Sequence, residues 1–272
     1  MCPFAWISGV SHLVAHCLLI ETDRGLILVD TGFGEKDVLE PQRLTWLMRT
    51  MARPRLDVRQ TAVGQVEQLG FHRSDVRHIV LTHLDPDHAG GVPDFPNATL
   101  HVYDLELRAA RRPTTQLERM RYAISNWGQS PRFTTYDTPG EPWFGFEAVR
   151  NLEGVPPEVL LIPLGGHTRG HVAVAVDAGE TWLMHCGDAY FHRQQMIDGK
   201  RPFGLGLFER AVAVEDRIRE LNQERLRNLK RAQRGIELFC AHDAVELERL
   251  QAFRHQDAAN ATAHASRNGS PP

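Results

Sequence analysis

Short apolar runs, rich in Val, Ile and Leu, recur along the chain, and most are bounded by polar or turn-forming residues. Runs of this kind predict β-strands. The first two are separated by the polar turn Glu21–Arg24, which predicts a hairpin, and a later pair repeats this arrangement across residues 177–180. The predicted strands are residues 14–20, 25–30, 78–82, 98–103, 159–163, 172–176, 181–186 and 236–240.

Between the strands, apolar residues recur at helical spacing, which predicts amphipathic helices. Residues 128–157 are rich in Pro and Gly and predict a loop-rich segment with a strand or two. The order of strands, then helices, then strands, and then the same again predicts an α/β fold of two β-layers covered by helices. The predicted helices are residues 36–51, 58–69, 105–127 with an interruption at Pro113, 209–232 and 244–253.

Length and composition favour one globular domain. The chain has 272 residues, of which 42% are hydrophobic, enough to bury one large core. We therefore predict a single domain over residues 1–256. Residues 257–272 are rich in Ala, Asn, Ser and Pro and predict a disordered tail.

Charge and apolar-segment length exclude several classes of partner. The 34 acidic residues outnumber the 31 basic ones, so the chain has no overall positive field for nucleic acid. No segment approaches the roughly 20 apolar residues of a membrane helix. The first ten residues also lack a basic leader, so we expect a cytoplasmic protein with no membrane partner. The sequence does not indicate an oligomeric state.

The densest group of metal-ligand residues directly follows the predicted strand 78–82. It is His83-Leu-Asp85-Pro-Asp87-His88, which ends just before Gly90-Gly91. His nitrogen and Asp oxygen together are a common ligand set for zinc, iron or manganese. An ordinary solvated acidic turn would have the same composition. The recurrence of His and Asp after later strands favours the metal site.

Five separated motifs resemble, in order, those of the metallo-β-lactamase superfamily, whose hallmark is HxHxDH after a strand. They run from Asp30 to about His242, which is most of the chain. The resemblance implies a four-layer αββα sandwich with metals at one edge. The motifs are Asp30-Thr-Gly, His83-Leu-Asp-Pro-Asp-His88, Gly-His167-Thr-Arg-Gly-His171, Cys-Gly-Asp188-Ala and Cys-Ala-His242-Asp.

The resemblance also implies roles for these residues around two divalent ions, with zinc as the first expectation and iron or manganese as alternatives. Asp188 would bridge the two ions, and Asp87 would also orient a metal-activated hydroxide. Asp30 and His171 would support the ligand loops. His83, Asp85 and His167 would bind the first ion, and Asp87, His88 and His242 the second.

Asp85 departs from the family pattern, which has His at this position. The change puts a third carboxylate beside Asp87 and Asp188, so two divalent ions would leave a net charge of about +1 instead of about +2. An oxygen ligand also makes the first site harder. Iron and manganese therefore compete better with zinc than in the usual pattern.

Within the superfamily, the chain is most similar to the branch of N-acyl homoserine lactone lactonases. That branch often has a Tyr three residues after the bridging Asp, but this chain has Phe191 there, with Tyr190 as a substitute candidate for substrate contact. Arg169 and Arg193 are further candidates for holding a substrate carboxylate.

The resemblance implies a hydrolase of a small ester or lactone, with a small molecule as its substrate. Two other classes remain open. One is an iron-dependent oxidoreductase of the persulfide dioxygenase or flavodiiron type, and the other is a non-catalytic binding protein.

Overall fold

The computed structural model describes residues 13–46, 48–122, 133–137, 140–149, 152–156 and 158–252. The predicted tail and the end of the predicted helix 105–127 lie outside this range. Eleven strands are present within it: β1 Leu18–Thr22, β2 Gly25–Val29, β3 Val76–Val80, β4 Thr99–Tyr103, β5 Phe133–Tyr136, β6 Glu141–Trp143, β7 Phe146–Ala148, β8 Val159–Pro163, β9 Val172–Asp177, β10 Trp182–His185 and β11 Ile236–Phe239.

The strands form two principal sheets. The first has the order β1-β2-β3-β4-β5; β1 and β2 form an antiparallel hairpin, while the pairs from β2 to β5 are parallel. The second has the order β11-β10-β9-β8; its pairs are antiparallel except for β10 and β11. β6 and β7 form a separate hairpin.

Helices surround both sheets. The connection between β2 and β3 also contains 3-10 turns at Pro41–Arg43, Val58–Gln60 and Arg73–Asp75 and a π-turn at Met48–Ala52, and a further 3-10 turn lies at Val92–Asp94. The α-helices are α1 Glu35–Leu39, α2 Ala62–Gln68, α3 Pro86–Ala89, α4 Asp104–Arg111, α5 Gln116–Arg121, α6 Gln194–Ile197, α7 Phe203–Val212, α8 Asp216–Ala232 and α9, residues 244–252.

The alternation of side chains along each strand builds three layers of core. In β2, Leu28 shares a core cluster with Val63 of α2 and Leu107 of α4, on the outer face of the first sheet. The next position, Ile27, joins a second cluster with Val174 of β9, between the two sheets. Successive residues of a strand point to opposite faces, so β2 is buried on both.

The second sheet is buried in the same way. Val174 of β9 faces the first sheet, whereas its neighbour Ala175 shares a third cluster with Leu226 and Leu229 of α8. Helices thus cover the outer face of each sheet, and the predicted four-layer αββα sandwich is confirmed. No helix in the described part of the chain is long and apolar enough to cross a bilayer.

Three helix predictions are wrong in extent. The predicted helix 58–69 begins only at Ala62, as α2. The predicted helix 36–51 ends as α1 at Leu39, and a 3-10 turn begins at Pro41, whose ring removes the backbone N–H that a continuing helix needs. The predicted helix 209–232 is two helices, because Ala213 adopts an extended conformation. The break allows the Val214 N–H to donate to the His167 carbonyl oxygen (3.0 Å).

Candidate metal centre

The predicted metal ligands gather at one edge of the sandwich, beyond the carboxyl ends of five strands. Loops leaving strands at a common edge converge, which explains how residues far apart in sequence meet. Asp30 follows β2, residues 83–88 follow β3, His167 follows β8, Asp188 follows β10 and His242 follows β11.

The turn after β3 supplies ligands from a short stretch because it bends into α3. Pro86 occupies the first position of that helix, where a missing N–H costs nothing, and Asp85 is the residue just before it. Asp87 and His88 then lie in the first helical turn. This arrangement turns His83, Asp85 and His88 toward the same space.

Asp188 lies at the centre of the cluster. Its Oδ1 lies 3.1 Å from His88 Nε2 and 3.0 Å from His242 Nε2. Its Oδ2 lies 3.3 Å from His167 Nε2 and 3.9 Å from His83 Nε2. One carboxylate therefore faces both predicted ion positions, as a bridging ligand must.

All seven predicted ligands are brought together. Within each of three groups, the ligand atoms lie within 4.8 Å of one another. The groups are His83, Asp85 and His167; His83, His88 and Asp188; and Asp87, His88 and His242.

Hydrogen bonds to the outer ring nitrogens turn three imidazoles toward the centre. His88 Nδ1 donates to Asp30 Oδ2 (2.8 Å), and His242 Nδ1 donates to the Val14 carbonyl oxygen (2.7 Å). His83 Nδ1 lies 3.0 Å from the Thr82 hydroxyl. With the proton on Nδ1, each Nε2 presents its lone pair inward, as a metal ligand requires.

The donor set fits a transition metal. The buried atoms His83 Nε2, His88 Nε2 and Asp188 Oδ1 have no hydrogen-bond partner among the described residues. Buried polar atoms are rarely unpaired, and such groups converging on one point indicate an ion. Nitrogen and carboxylate ligands suit zinc, iron and manganese.

Asp30 holds the turn that carries the ligands. Its Oδ1 accepts the Thr82 N–H (2.8 Å), and its Oδ2 accepts both the Thr82 hydroxyl (2.7 Å) and His88 Nδ1 (2.8 Å). Its φ of 56° is uncommon for a residue other than glycine. These contacts are those expected for the supporting role predicted from the sequence.

His171 supports Asp188 and belongs to none of the three groups of candidate metal ligands. Its Nε2 accepts the Asp188 N–H (2.9 Å), and its Nδ1 lies 3.2 Å from the Leu164 carbonyl oxygen. Burial lowers the pKa of His171 well below its usual value, so the ring is neutral and can accept this bond. Gly187 has φ +50°, and a Cβ there would lie 2.6 Å from His171 Nε2.

Sequence reasoning missed Glu106, which connects two ligand loops. Its carboxylate accepts the Leu84 N–H (3.0 Å) and the Gly170 N–H (3.1 Å). The side chain is fully buried, and burial raises its pKa. No motif marks this position, because a helical Glu normally faces solvent.

Sequence reasoning also missed Arg121, which points into the first ion position. Its Nη1 lies 3.1 Å from Asp85 Oδ2 and 2.9 Å from His167 Nε2, and its Nη2 donates to the Val212 carbonyl oxygen. Burial opposes ionisation of Asp85, but the Arg121 guanidinium together with His83 and His167 outweighs burial and holds the pKa of Asp85 well below its usual value. Burial, and then the same guanidinium, lower the pKa of His167 to about 4.

The structure does not bring Tyr190 to the centre, which corrects its suggested contact with substrate. Its side chain is fully buried, and its hydroxyl donates to Glu246 (3.2 Å). Burial raises the pKa of Tyr190 well above its usual value. Phe191 points the other way and stacks on His242, with 4.7 Å between ring centroids.

The two arginines suggested for substrate binding have carboxylate partners of their own. Arg169 forms a salt bridge with Glu118 (2.6 Å), and Arg193 forms one with Asp243 (3.1 Å). Neither guanidinium therefore presents an uncompensated charge to a ligand.

A pocket with largely apolar walls opens onto the ligands. Asp85, Asp87, His167, Asp188 and His242 contribute to its base. Helices α5 and α7 contribute much of the nearby wall, and Phe208 of α7 packs edge to face on Phe191 (5.8 Å between centroids). Its apolar lining near the ligands is Leu117, Met120, Phe191, Leu205, Phe208 and Val212.

Comparison with known proteins agrees with this geometry. The family model described as "Metallo-beta-lactamase superfamily" matches residues 11–251. A Mycobacterium tuberculosis protein named "Probable metallo-hydrolase Rv2300c" is 46% identical over 234 residues, which cover 85% of this chain and 75% of the relative. An N-acyl homoserine lactonase of Bacillus thuringiensis is 26% identical over 244 residues, 89% of this chain and 86% of the relative.

Solved structures share the fold. An N-acyl homoserine lactone hydrolase, described with the product N-hexanoyl-L-homoserine bound at its catalytic metal center, superposes with a TM-score of 0.67 at 20% identity. The match covers 91% of each chain. At this identity the likeness shows the fold alone. The family match over residues 11–251, together with the 46% identity to the mycobacterial relative, shows that this chain belongs to the metallo-β-lactamase superfamily.

Proposed function

We propose that this chain is a metal-dependent hydrolase of a small ester or lactone. The observation that carries the proposal is the convergence of His83, His88 and His242 on Asp188, with their Nε2 atoms turned inward by hydrogen bonds on the other ring nitrogen. A divalent metal held there lowers the pKa of water toward neutrality and polarises a carbonyl oxygen. Zinc is the metal we expect first.

Asp87 has the position of a residue that orients the attacking water. Its side chain is 23% exposed and lines the pocket, and its Oδ2 lies 3.9 Å from His242 Nε2. A carboxylate at the boundary between ligand cluster and pocket can accept a hydrogen bond from water and fix its direction. We propose this role for Asp87 in addition to metal binding.

The apolar wall favours a neutral acyl substrate. Phe191, Leu205 and Phe208 lie beside the ligands and can bury a short hydrocarbon chain. Arg169 and Arg193 are paired with carboxylates, so neither offers a free charge to an anionic substrate. The N-acyl homoserine lactonase relatives at 26% identity are consistent with a lactone.

The test is a substrate panel on zinc-loaded protein, comprising N-acyl homoserine lactones, simple lactones, linear esters, thioesters and phosphodiesters. We expect measurable turnover of at least one lactone or ester. His88→Ala and Asp188→Ala should each abolish this turnover. When several residues act together, the loss of any one of them removes nearly all of the activity. His192→Ala is the matched control, since His192 follows the bridging residue closely but lies outside the three ligand groups.

Two results would contradict the proposal. The first is hydrolysis that survives Asp188→Ala but is lost in His192→Ala. The second is a purified protein that holds iron and consumes oxygen without hydrolysing any panel substrate, which would favour the oxidoreductase class.

A further inference from the structure

Arg121 occupies the side of the centre where the sequence places the first metal ion. Its side chain is only 5% exposed, and its Nη1 lies within hydrogen-bond distance of both Asp85 Oδ2 (3.1 Å) and His167 Nε2 (2.9 Å). The guanidinium is further held by the carbonyl oxygens of His167 and Val212. A buried cation thus already lies between two of the three ligands of that site.

The contact with His167 excludes a metal at the same nitrogen. A guanidinium only donates hydrogen bonds, so His167 Nε2 must accept with its single in-plane lone pair. A metal ion would need that same lone pair. His167 therefore binds either Arg121 or an ion.

Charge balance leads to the same result. Three carboxylates face the centre, Asp85, Asp87 and Asp188. One divalent ion and one guanidinium carry three positive charges, so together they neutralise the cluster. Two divalent ions beside the guanidinium would leave a buried net charge of about +2, which is costly away from water.

The other group has no such competitor. In the described part of the chain, the ion pairs of Asp87, His88 and His242 are with one another and with the carboxylates of Asp188 and Asp30, and none is with an arginine or lysine. His88 Nε2 has no hydrogen-bond partner among the described residues. This half of the centre is therefore open to an ion. In the Asp85 half, Arg121 engages Asp85 Oδ2 and His167 Nε2, which leaves His83 Nε2 and Asp85 Oδ1 without a hydrogen-bond partner among the described residues.

We propose that the chain binds a single divalent ion, at Asp87, His88, Asp188 and His242, and that the Arg121 guanidinium takes the place of the second. The inference rests on the metal dependence in the proposed function and narrows the two ions expected from the sequence to one. Asp85 and Arg121 then form a pair, in which the carboxylate at the usual His position holds the guanidinium.

The test is zinc stoichiometry, measured by calorimetric titration of metal-free protein and by elemental analysis after dialysis. We expect one equivalent of zinc for the wild type and two for Arg121→Gln, which frees His167 and removes the competing charge. Arg119→Gln, at an exposed position of the same helix, is the control and should bind one. Two equivalents in the wild type, or one in both the wild type and Arg121→Gln, would overturn the assignment.

A second pair of variants keeps the test valid if Arg121→Gln does not fold. His167→Ala should retain the single zinc, because His167 is engaged by Arg121, whereas His88→Ala should lose it. Loss of zinc in His167→Ala would overturn the inference. A wild type that binds no zinc would refute the proposed function as well, while two zinc ions with ester hydrolysis would refute only the single-ion inference.

Discussion

Position 85 decides the charge of the metal centre. Asp85 holds Arg121 at 3.1 Å, and Arg121 in turn occupies the lone pair of His167. Asp85→His removes the carboxylate that fixes the guanidinium and restores a nitrogen ligand. We expect the ratio of bound zinc to bound iron and manganese to be higher in this variant than in the wild type. Metal analysis after growth in mixed metals measures this ratio, and thermal stability checks that the variant folds. An unchanged ratio would contradict the prediction.

Glu246 should make stability depend on pH. It is buried against Tyr190 and the Cys240 N–H, and burial raises its pKa to about 7. The folded state therefore holds a proton that the unfolded state has released, so the free energy of unfolding should fall between about pH 4.5 and pH 7, by up to about 3 kcal/mol. Glu246→Gln should flatten this slope in urea unfolding of metal-free protein at pH 5 and pH 7.5. An equal slope in both proteins would contradict the assignment.

At the residue scale, the sequence predicts the residues that lie in short motifs and misses those that reach the metal centre from a helix elsewhere in the chain. All seven residues of the cluster, together with the supporting positions of Asp30 and His171, follow from short strand-end motifs. Glu106 and Arg121 do not, because each lies on a helix and meets the centre only through tertiary packing. The third carboxylate, Asp85, is the one signal in the sequence that a buried cation was required.

At the element scale, α4 connects the two ligand loops through one side chain. In Glu106→Gln, an amide NH₂ group replaces one of the two carboxylate oxygens, which accept the N–H groups of Leu84 and Gly170. One of these backbone N–H groups then faces a hydrogen-bond donor instead of an acceptor. We expect a loss of about 1–3 kcal/mol in the free energy of unfolding and weaker zinc binding. Asp104→Asn, on the same helix and paired with Arg108 at the surface, should cost less than about 0.5 kcal/mol. Denaturant unfolding and zinc titration of both variants check this, and equal effects would contradict it.

Strands were predicted more accurately than helices, for a physical reason. The core strands are buried on both faces, so each appears in the sequence as a short apolar run with turn-forming residues at both ends. Helix ends depend on single backbone contacts. The break between α7 and α8 lets the Val214 N–H and the Glu215 N–H reach the carbonyl oxygens of His167 and Gly166, and periodicity does not reveal these tertiary contacts.

At the scale of the whole molecule, the centre joins loops from both sheets, so an ion bound there should stabilise the complete fold. A ligand that binds only the folded state adds about 4 kcal/mol at a thousand times its dissociation constant. We expect zinc to raise the melting temperature of the wild type, and Asp188→Ala to abolish the rise. A scanning calorimetry comparison with and without zinc measures this, and an equal rise in both proteins would indicate that zinc binds elsewhere.

The most direct test of the account is hydrolysis measured against metal occupancy. Zinc is removed by chelation and restored stepwise, and turnover of the best ester or lactone of the panel is recorded at each step. We predict no turnover in the metal-free protein and a linear return that reaches its full value at one equivalent of zinc. Turnover that persists in the metal-free protein at the level of the holoprotein would contradict a metal-dependent hydrolase.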